Sequence, residues 1–193
     1  MVLWGMSLMA AGIILAATGY AKVELAQQKI TARRVVTSGA VIWALGWMAT
    51  ISGPHHMRIN LGFIALALSG LISLGQLGKG RWLAATGVLA VVSFVVRHIA
   101  PFHVHQLSYL PQAIIQSLGL GGVAGISALR PWPAAVVAAS AESLSCVAVA
   151  LLRKNAVNLG RHDLTAVVFA VVGAWLIGWV ALGIGQKFGR SIA

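Results

Sequence analysis

One carboxylate of this chain lies inside a long apolar segment. The chain has three acidic residues; Glu142 falls at the middle of segment 134–152, whereas Glu24 and Asp163 fall in predicted loops. A charged side chain at the centre of a membrane-spanning helix costs roughly 2.5–3.5 kcal/mol, so such a group is either neutralised or paired. Intramembrane ionisable residues commonly mark ion or proton pathways. Glu142 is therefore the first candidate for a proton, cation or substrate site.

Two further polar residues join Glu142 in this candidate site. Ser145 lies three residues further along the same predicted helix and therefore on a neighbouring part of its face. Gln116, in segment 112–129, offers a side-chain amide as a hydrogen-bond partner from a second helix. Ala138 and Ala139 lie one turn before Glu142, and small residues let helices approach closely, so this face is predicted to point into a bundle. The alternative interpretation is a neutral glutamate that only joins helices by hydrogen bonds.

Histidines form the second candidate site. Five histidines fall at the predicted outer ends of the second to fifth apolar segments: His55, His56, His98, His103 and His105. Neutral imidazole is a good ligand for zinc, copper, nickel and iron, which makes a transition metal or haem the alternative cofactor prediction. The spacing matches no defined metal motif. A role in proton sensing, for a side chain that titrates at about pH 6.5, and an interfacial position at the depth of lipid headgroups are the other interpretations.

Composition predicts the elements that must position these residues. The chain has 193 residues, 9% of them charged, with a mean hydropathy of +0.90, whereas soluble domains carry about 25% charged residues. Such a chain cannot cover a water-facing surface. We predict an all-α fold, a polytopic transmembrane bundle that forms a single integral membrane domain over residues 1–193. The predicted helices are 2–20, 35–52, 59–77, 82–100, 112–129, 134–152 and 164–186.

Charge predicts the orientation and the partners. The net charge is +11, and the basic loop 21–34 after the first segment indicates a cytoplasmic loop and an outer N-terminus, in the cell membrane. Basic loops also meet anionic lipid headgroups, so this charge predicts the lipid bilayer rather than nucleic acid as partner. Segment 112–129 is the most polar span. Seven crossings are favoured, and the alternative is six crossings with 112–129 as a re-entrant segment.

Three smaller features predict structure. Gly121 with Gly125, and Ala174 with Gly178, are small residues four apart, a spacing typical of tightly packed membrane helices. The pairs Trp43–Trp47 and Trp175–Trp179 have the spacing of aromatic packing pairs on one helix face. Asp163 directly precedes the last segment and is the predicted N-cap of that helix.

Recognisable catalytic motifs are absent. The sequence contains no Gly-rich phosphate loop, no His-Glu-x-x-His, no Cys-x-x-Cys and no Gly-x-Ser-x-Gly. The sequence therefore favours a non-enzymatic protein. The predicted function is a small transporter-like protein, or a membrane subunit with a protein partner or a second copy of itself, with an interior proton or cation site at Glu142. The alternative is a metal- or haem-handling membrane protein built on the histidines.

Overall fold

The computed structural model describes residues 2–19, 25–26, 30–52, 58–78, 80–99, 112–152 and 158–187. Within these residues the fold is a bundle of seven helices with one small sheet. The helices are α1 (Val2–Ala17), α2 (Ala32–Met48), α3 (Leu61–Leu77), α4 (Gly80–Ile99), α5 (Gln112–Ala128), α6 (Pro131–Leu152) and α7 (Arg161–Lys187). The strands are β1 (Thr50–Ser52), β2 (Arg58–Asn60) and β3 (Asn158–Leu159). The helical class and the number of helices agree with the prediction, whereas the strands were not predicted.

Three of the described helices are long and apolar enough to cross a membrane. Their apolar stretches are Gly80–Arg97, Pro131–Leu152 and Arg161–Gly185, and α1, α3 and most of α5 are shorter apolar helices. Helix α2 begins three residues before its predicted start, because Thr31 caps it: the Thr31 hydroxyl accepts a hydrogen bond from the backbone N–H of Arg34. The first turn of α2 therefore contains two arginines.

The three strands bring several helix ends together. β1 and β2 form an antiparallel hairpin between α2 and α3, and β2 pairs in parallel with β3, which leads into α7. The ends of α2 and α6 and the starts of α3 and α7 therefore share one end of the bundle, which we call the sheet end. The start of α1 is at this end too, because Trp43 Nε1 of α2 donates to the carbonyl of Met6 at 3.0 Å.

The side chain of Asn60 joins α2 and α3 by hydrogen bonds inside the sheet end. Its side chain is 1% exposed. Its Nδ2 donates to the carbonyl of Gly46 at 3.0 Å, and its Oδ1 accepts from the backbone N–H of Phe63 at 3.1 Å. One side chain thus caps α3 and satisfies a carbonyl near the end of α2. Gly46 and Gly62 make this possible, because their backbones lie in direct contact.

Helix α6 is the centre of the bundle. Of its most apolar stretch 67% is buried, against 39% for α7 and 22% for α4, and it packs against α3, α4, α5 and α7. Its sequence explains this position, because a run of alanines and valines from Ala134 to Ala139 lets four neighbours approach closely. The outer helix faces carry large exposed apolar side chains, among them Leu83, Val88, Ile126 and Leu176.

Helices α5 and α7 pack in parallel on small residues. The spacing predicted tight packing at these residues but not which helices would meet. Gly121 lies against the backbone of Ala170 and Ala174, and Gly125 lies against Ala174 and Ile177. The later residue of α5, Gly125, contacts later residues of α7 than Gly121 does, so the two helices run in the same direction. Gly178 of α7 lies against the backbone of Pro131 at the start of α6. Helix α6 therefore runs antiparallel to both α5 and α7.

The N-cap prediction for Asp163 is wrong in position. Helix α7 begins at Arg161, which places Asp163 in its first turn. From there its carboxylate accepts a hydrogen bond from the backbone N–H of Gly160 at 2.9 Å. This is the reaching-back half of a capping box, in which a side chain of the first turn satisfies the N–H at the cap position. Asp163 still stabilises the start of the helix, but from inside it.

Candidate functional site around Glu142

The carboxylate of Glu142 is enclosed by side chains from two other helices. Glu142 lies at the middle of the central helix α6 and is 0% exposed. Ser93 Oγ of α4 donates to its Oε2 at 2.8 Å, and Ser117 Oγ of α5 donates to its Oε1 at 2.7 Å. Arg97 Nη2 of α4 donates to the same Oε1 and forms an ion pair with it. We call Ser93, Arg97, Ser117 and Glu142 the carboxylate cluster.

Helical spacing explains the contribution of α4. Ser93 and Arg97 are four residues apart, so they lie one above the other on the face that packs against α6. Side chains on a helix tilt toward its N-terminus, so the long side chain of Arg97 runs back along α4 toward Ser93. An arginine two residues from the end of its helix can therefore reach a carboxylate deeper in the bundle.

The ion pair draws the Arg97 side chain into the bundle. Arg97 lies two residues before the end of α4, a position from which a long basic side chain can extend outward to the membrane surface. The structure brings its guanidinium to Glu142, and the Arg97 side chain is 14% exposed. Of the two states predicted for Glu142, neutralised or paired, the geometry is that of a pair.

Helix α5 contributes a hydroxyl instead of the predicted amide. The Glu142 partner on this helix is Ser117, which is fully buried, whereas the adjacent Gln116 is half-buried. Successive residues on a helix point about 100° apart, given its 3.6 residues per turn, so only one of two neighbours can face α6. A serine inside an apolar helix is common and unspecific, which is why the sequence pattern favoured the larger amide.

Buried polar atoms without a hydrogen-bond partner among the described residues occur on Arg97 of the carboxylate cluster and on two serines that follow Glu142 on α6. Ser145, predicted as part of the site, is 1% exposed, and its Oγ has no hydrogen-bond partner among the described residues. The same holds, within that part of the chain, for Arg97 Nε and for the hydroxyl of Ser143. Buried polar atoms usually have a partner, which can be protein, ordered water or a ligand. The interior around Glu142 thus offers hydrogen-bonding capacity beyond the bonds of the cluster.

The charges of the cluster set its chemistry. One arginine balances one carboxylate, and both hydroxyls donate to the carboxylate oxygens. Removing one partner of a buried ion pair typically costs about 3–5 kcal/mol, because the other charge stays buried without compensation. The same bonds also join α4, α5 and α6, but around an ion-paired glutamate rather than the neutral glutamate of the structural interpretation.

The predicted metal site falls mostly outside the described residues. Four of the five histidines lie outside the described residues: His55, His56, His103 and His105. His98 belongs to α4, but its side chain is also outside the described part of the structure. Within the described part of the chain, no group of three or more His, Cys, Asp or Glu side chains could hold a metal ion. The metal or haem hypothesis therefore stays a prediction.

Comparisons with known proteins add no assignment to this geometry. Neither the protein-family models, nor the curated proteins, nor the solved structures contain a match to this chain.

Proposed function

We propose that this protein is a small transporter-like, multi-pass membrane protein in which Glu142 is the interior proton or cation site and Arg97 is its built-in counter-ion. One observation carries the proposal. A carboxylate at the middle of the central helix is fully buried and bound by an arginine and two hydroxyls from two other helices. Ionisable groups are expensive inside a membrane and mark ion or proton pathways there.

The membrane part of the proposal is supported by helix length and by exposed surface. Three helices have the length and hydropathy of a membrane span. Large apolar side chains such as Val88, Ile126 and Leu176 are more than half exposed, which is unfavourable in water and favourable against lipid tails. A bundle of apolar helices with a small-residue core satisfies its backbone hydrogen bonds internally, as a bilayer requires.

The sheet favours seven crossings over six crossings with a re-entrant segment. A re-entrant 112–129 would put the connection after α6 on the side opposite to the connection after α2. β2 and β3 belong to these two connections, and they pair directly, Ile59 with Leu159. The parallel packing of α5 on α7, with α6 antiparallel to both, is the alternation expected when α5, α6 and α7 each cross the membrane.

Exchange of Arg97 for a proton or cation is the proposed working step. When Glu142 takes up a proton, its attraction for Arg97 falls to that of a neutral hydrogen bond, and the arginine is released. Arg97 lies two residues from the end of α4 and is partly exposed, so its guanidinium can move toward the adjacent bundle end without crossing the interior. The Arg97 side chain is then bound to Glu142 when the carboxylate is ionised and is released when it is protonated.

Both serines suit this exchange. A hydroxyl donates to an ionised carboxylate and can accept from a protonated one by rotation of its O–H. Ser93 and Ser117 can therefore hold Glu142 in either protonation state. Hydroxyl and carboxylate oxygens are also the ligands that hard cations such as sodium or calcium prefer. A cation that displaced Arg97 would meet three oxygen-bearing side chains from three helices.

The test exploits the small number of acids. Purified protein is reconstituted in vesicles, and the infrared band of protonated carboxyl groups is followed as pH is lowered. We expect one component to be lost in Glu142→Gln and to shift in Arg97→Gln, and we expect Asp163→Asn to leave it unchanged. In the same vesicles, with a pH-sensitive dye enclosed, an imposed pH gradient should collapse faster with the wild type than with Glu142→Gln.

Two results together would overturn the proposal. One is a carboxyl band that does not respond to Glu142→Gln at any pH at which the protein stays folded. The other is an equal rate of proton or sodium movement for wild type and Glu142→Gln in the vesicles. Glu142 would then only join helices. Glu142→Gln keeps the shape and a hydrogen-bonding group but leaves Arg97 without its counter-charge. The comparison is therefore made at temperatures at which thermal unfolding shows both proteins to be folded.

A further inference from the structure

A second site lies at the opposite end of the bundle from the sheet. An open groove of about 710 Å³ runs between the first half of α2 and the middle of α3. Its polar part is formed by Thr31, Arg33, Arg34, Thr37 and Ser38, and its apolar part by Val41, Ile42 and Ala65; Ser69 of α3 completes the lining. We propose that this groove binds an anionic phospholipid, with the lipid phosphate at the arginines and the start of an acyl chain at the apolar part.

The charge of the groove points to an anion. Arg33 and Arg34 are exposed and have no ion pair among the described residues. The two described acids are committed elsewhere: Glu142 pairs with Arg97, and Asp163 caps α7 at the sheet end. The groove lies at the N-terminus of α2, whose free N–H groups and helix dipole add to the attraction for a negative group.

The hydroxyls of the groove complete a phosphate site. Thr31 Oγ1 accepts from the backbone N–H of Arg34, which leaves its own O–H free to donate toward the groove. Thr37 follows two turns later on the lining. Arginine guanidinium matches phosphate oxygens with paired donors. Two guanidinium groups and adjacent hydroxyls therefore supply the donors that a phosphodiester needs.

The order of the lining favours a lipid over a free anion. From Arg34 to Val41 the chain rises about 10 Å along α2, at about 1.5 Å per residue, and the lining changes from charged to apolar over this distance. A phospholipid changes from phosphate to acyl chain over a similar length. The groove is open rather than enclosed, so a lipid could enter it. In the predicted orientation this end is cytoplasmic, where anionic lipids are enriched.

The experiment measures lipid binding to the intact purified protein in detergent. Phosphatidylglycerol and phosphatidylcholine of the same acyl chains are titrated, and bound lipid is counted by native mass spectrometry. Each basic residue near an anionic lipid changes the Kd about fivefold. Arg33→Gln combined with Arg34→Gln should therefore raise the Kd for phosphatidylglycerol about 30-fold. The matched control is Arg58→Gln with Arg81→Gln, which removes the same charge outside the groove and should change binding little.

Two further arms separate the possible ligands. Ala65→Phe fills the apolar part without changing any charge, and we expect it to weaken phosphatidylglycerol binding as well. Inorganic phosphate and glycerol 3-phosphate should compete with the lipid only weakly. If either competes as strongly as the whole lipid, or if Ala65→Phe has no effect, the site binds a free anion and the lipid assignment is wrong. If the control pair weakens binding as much as the groove pair, attraction to general surface charge explains it and the site is refuted.

Discussion

Arg97 and Glu142 form an ion pair between the last turn of α4 and the centre of α6. Ser93 of α4 binds the same carboxylate, and Ser117 attaches α5 to it. A buried pair of this kind is weak evidence for stability, because desolvation offsets much of the attraction. Its partners nevertheless depend strongly on one another.

The first prediction is therefore a pattern of coupled stabilities. Arg97→Leu leaves a buried carboxylate without its cation and should lower the free energy of unfolding by about 3–5 kcal/mol at neutral pH. Arg97→Leu combined with Glu142→Leu should recover most of this loss. Thermal unfolding of the purified proteins in one detergent gives the comparison. Arg58→Leu, an exposed arginine of β2, is the control. If the double variant were as unstable as the sum of the two single variants, the two residues would not be coupled.

Sequence reasoning could find Glu142 but not its partners. An acid inside an apolar segment can be recognised from the sequence alone, and so can the approximate lengths and the number of the helices. Which residue faces it depends on the rotation of three helices about their axes, and Gln116 and Ser117 differ only by that rotation. The direction of the Arg97 side chain follows from helix geometry, but its use depends on α6 being beside α4. The contact between β2 and β3 joins residues a hundred positions apart and leaves no local pattern.

The second prediction concerns the glycines of α5, which differ sharply in their surroundings. A methyl group at Gly121 would overlap the backbone of α7, whereas Gly119 and Gly122 have nothing within 4 Å. Gly121→Ala should lower the free energy of unfolding by about 1–3 kcal/mol, because the helices must separate. Gly122→Ala should be neutral or stabilise by up to about 1 kcal/mol through helix propensity. Unfolding midpoints in detergent measure both. Equal midpoints for the two variants would mean that α5 and α7 do not pack at Gly121.

The third prediction separates the two bonds of Asn60. Asn60→Ala removes both the cap of α3 and the donor to the Gly46 carbonyl, and should cost about 2–3 kcal/mol, since each buried bond contributes about 1 kcal/mol and an unpaired carbonyl is left behind. Asn60→Asp keeps an oxygen for the Phe63 N–H but places a second carboxyl oxygen against the Gly46 carbonyl, so it should also lower the free energy of unfolding. Thr31→Ala removes an exposed cap of α2 and should cost less than Asn60→Ala. Unfolding midpoints rank the three variants. A larger loss of unfolding free energy for Thr31→Ala than for Asn60→Ala would contradict the proposed contribution of the two Asn60 hydrogen bonds to stability.

The fourth prediction decides between seven crossings and a re-entrant α5. Cys146 is the chain's single cysteine and is buried, so a Cys146→Ala background accepts one reporter cysteine at a time. Seven crossings place Ser52→Cys and Gly160→Cys on one side of the membrane, because the sheet joins their connections. Arg81→Cys and Arg130→Cys would then lie on the other side, since α4 and α6 each begin there. Labelling of intact cells with a membrane-impermeant maleimide distinguishes the sides. A re-entrant α5 would instead give Arg130→Cys the accessibility of Ser52→Cys and would give Gly160→Cys that of Arg81→Cys. Because the reversal affects two positions at once, a single poorly accessible site cannot imitate it.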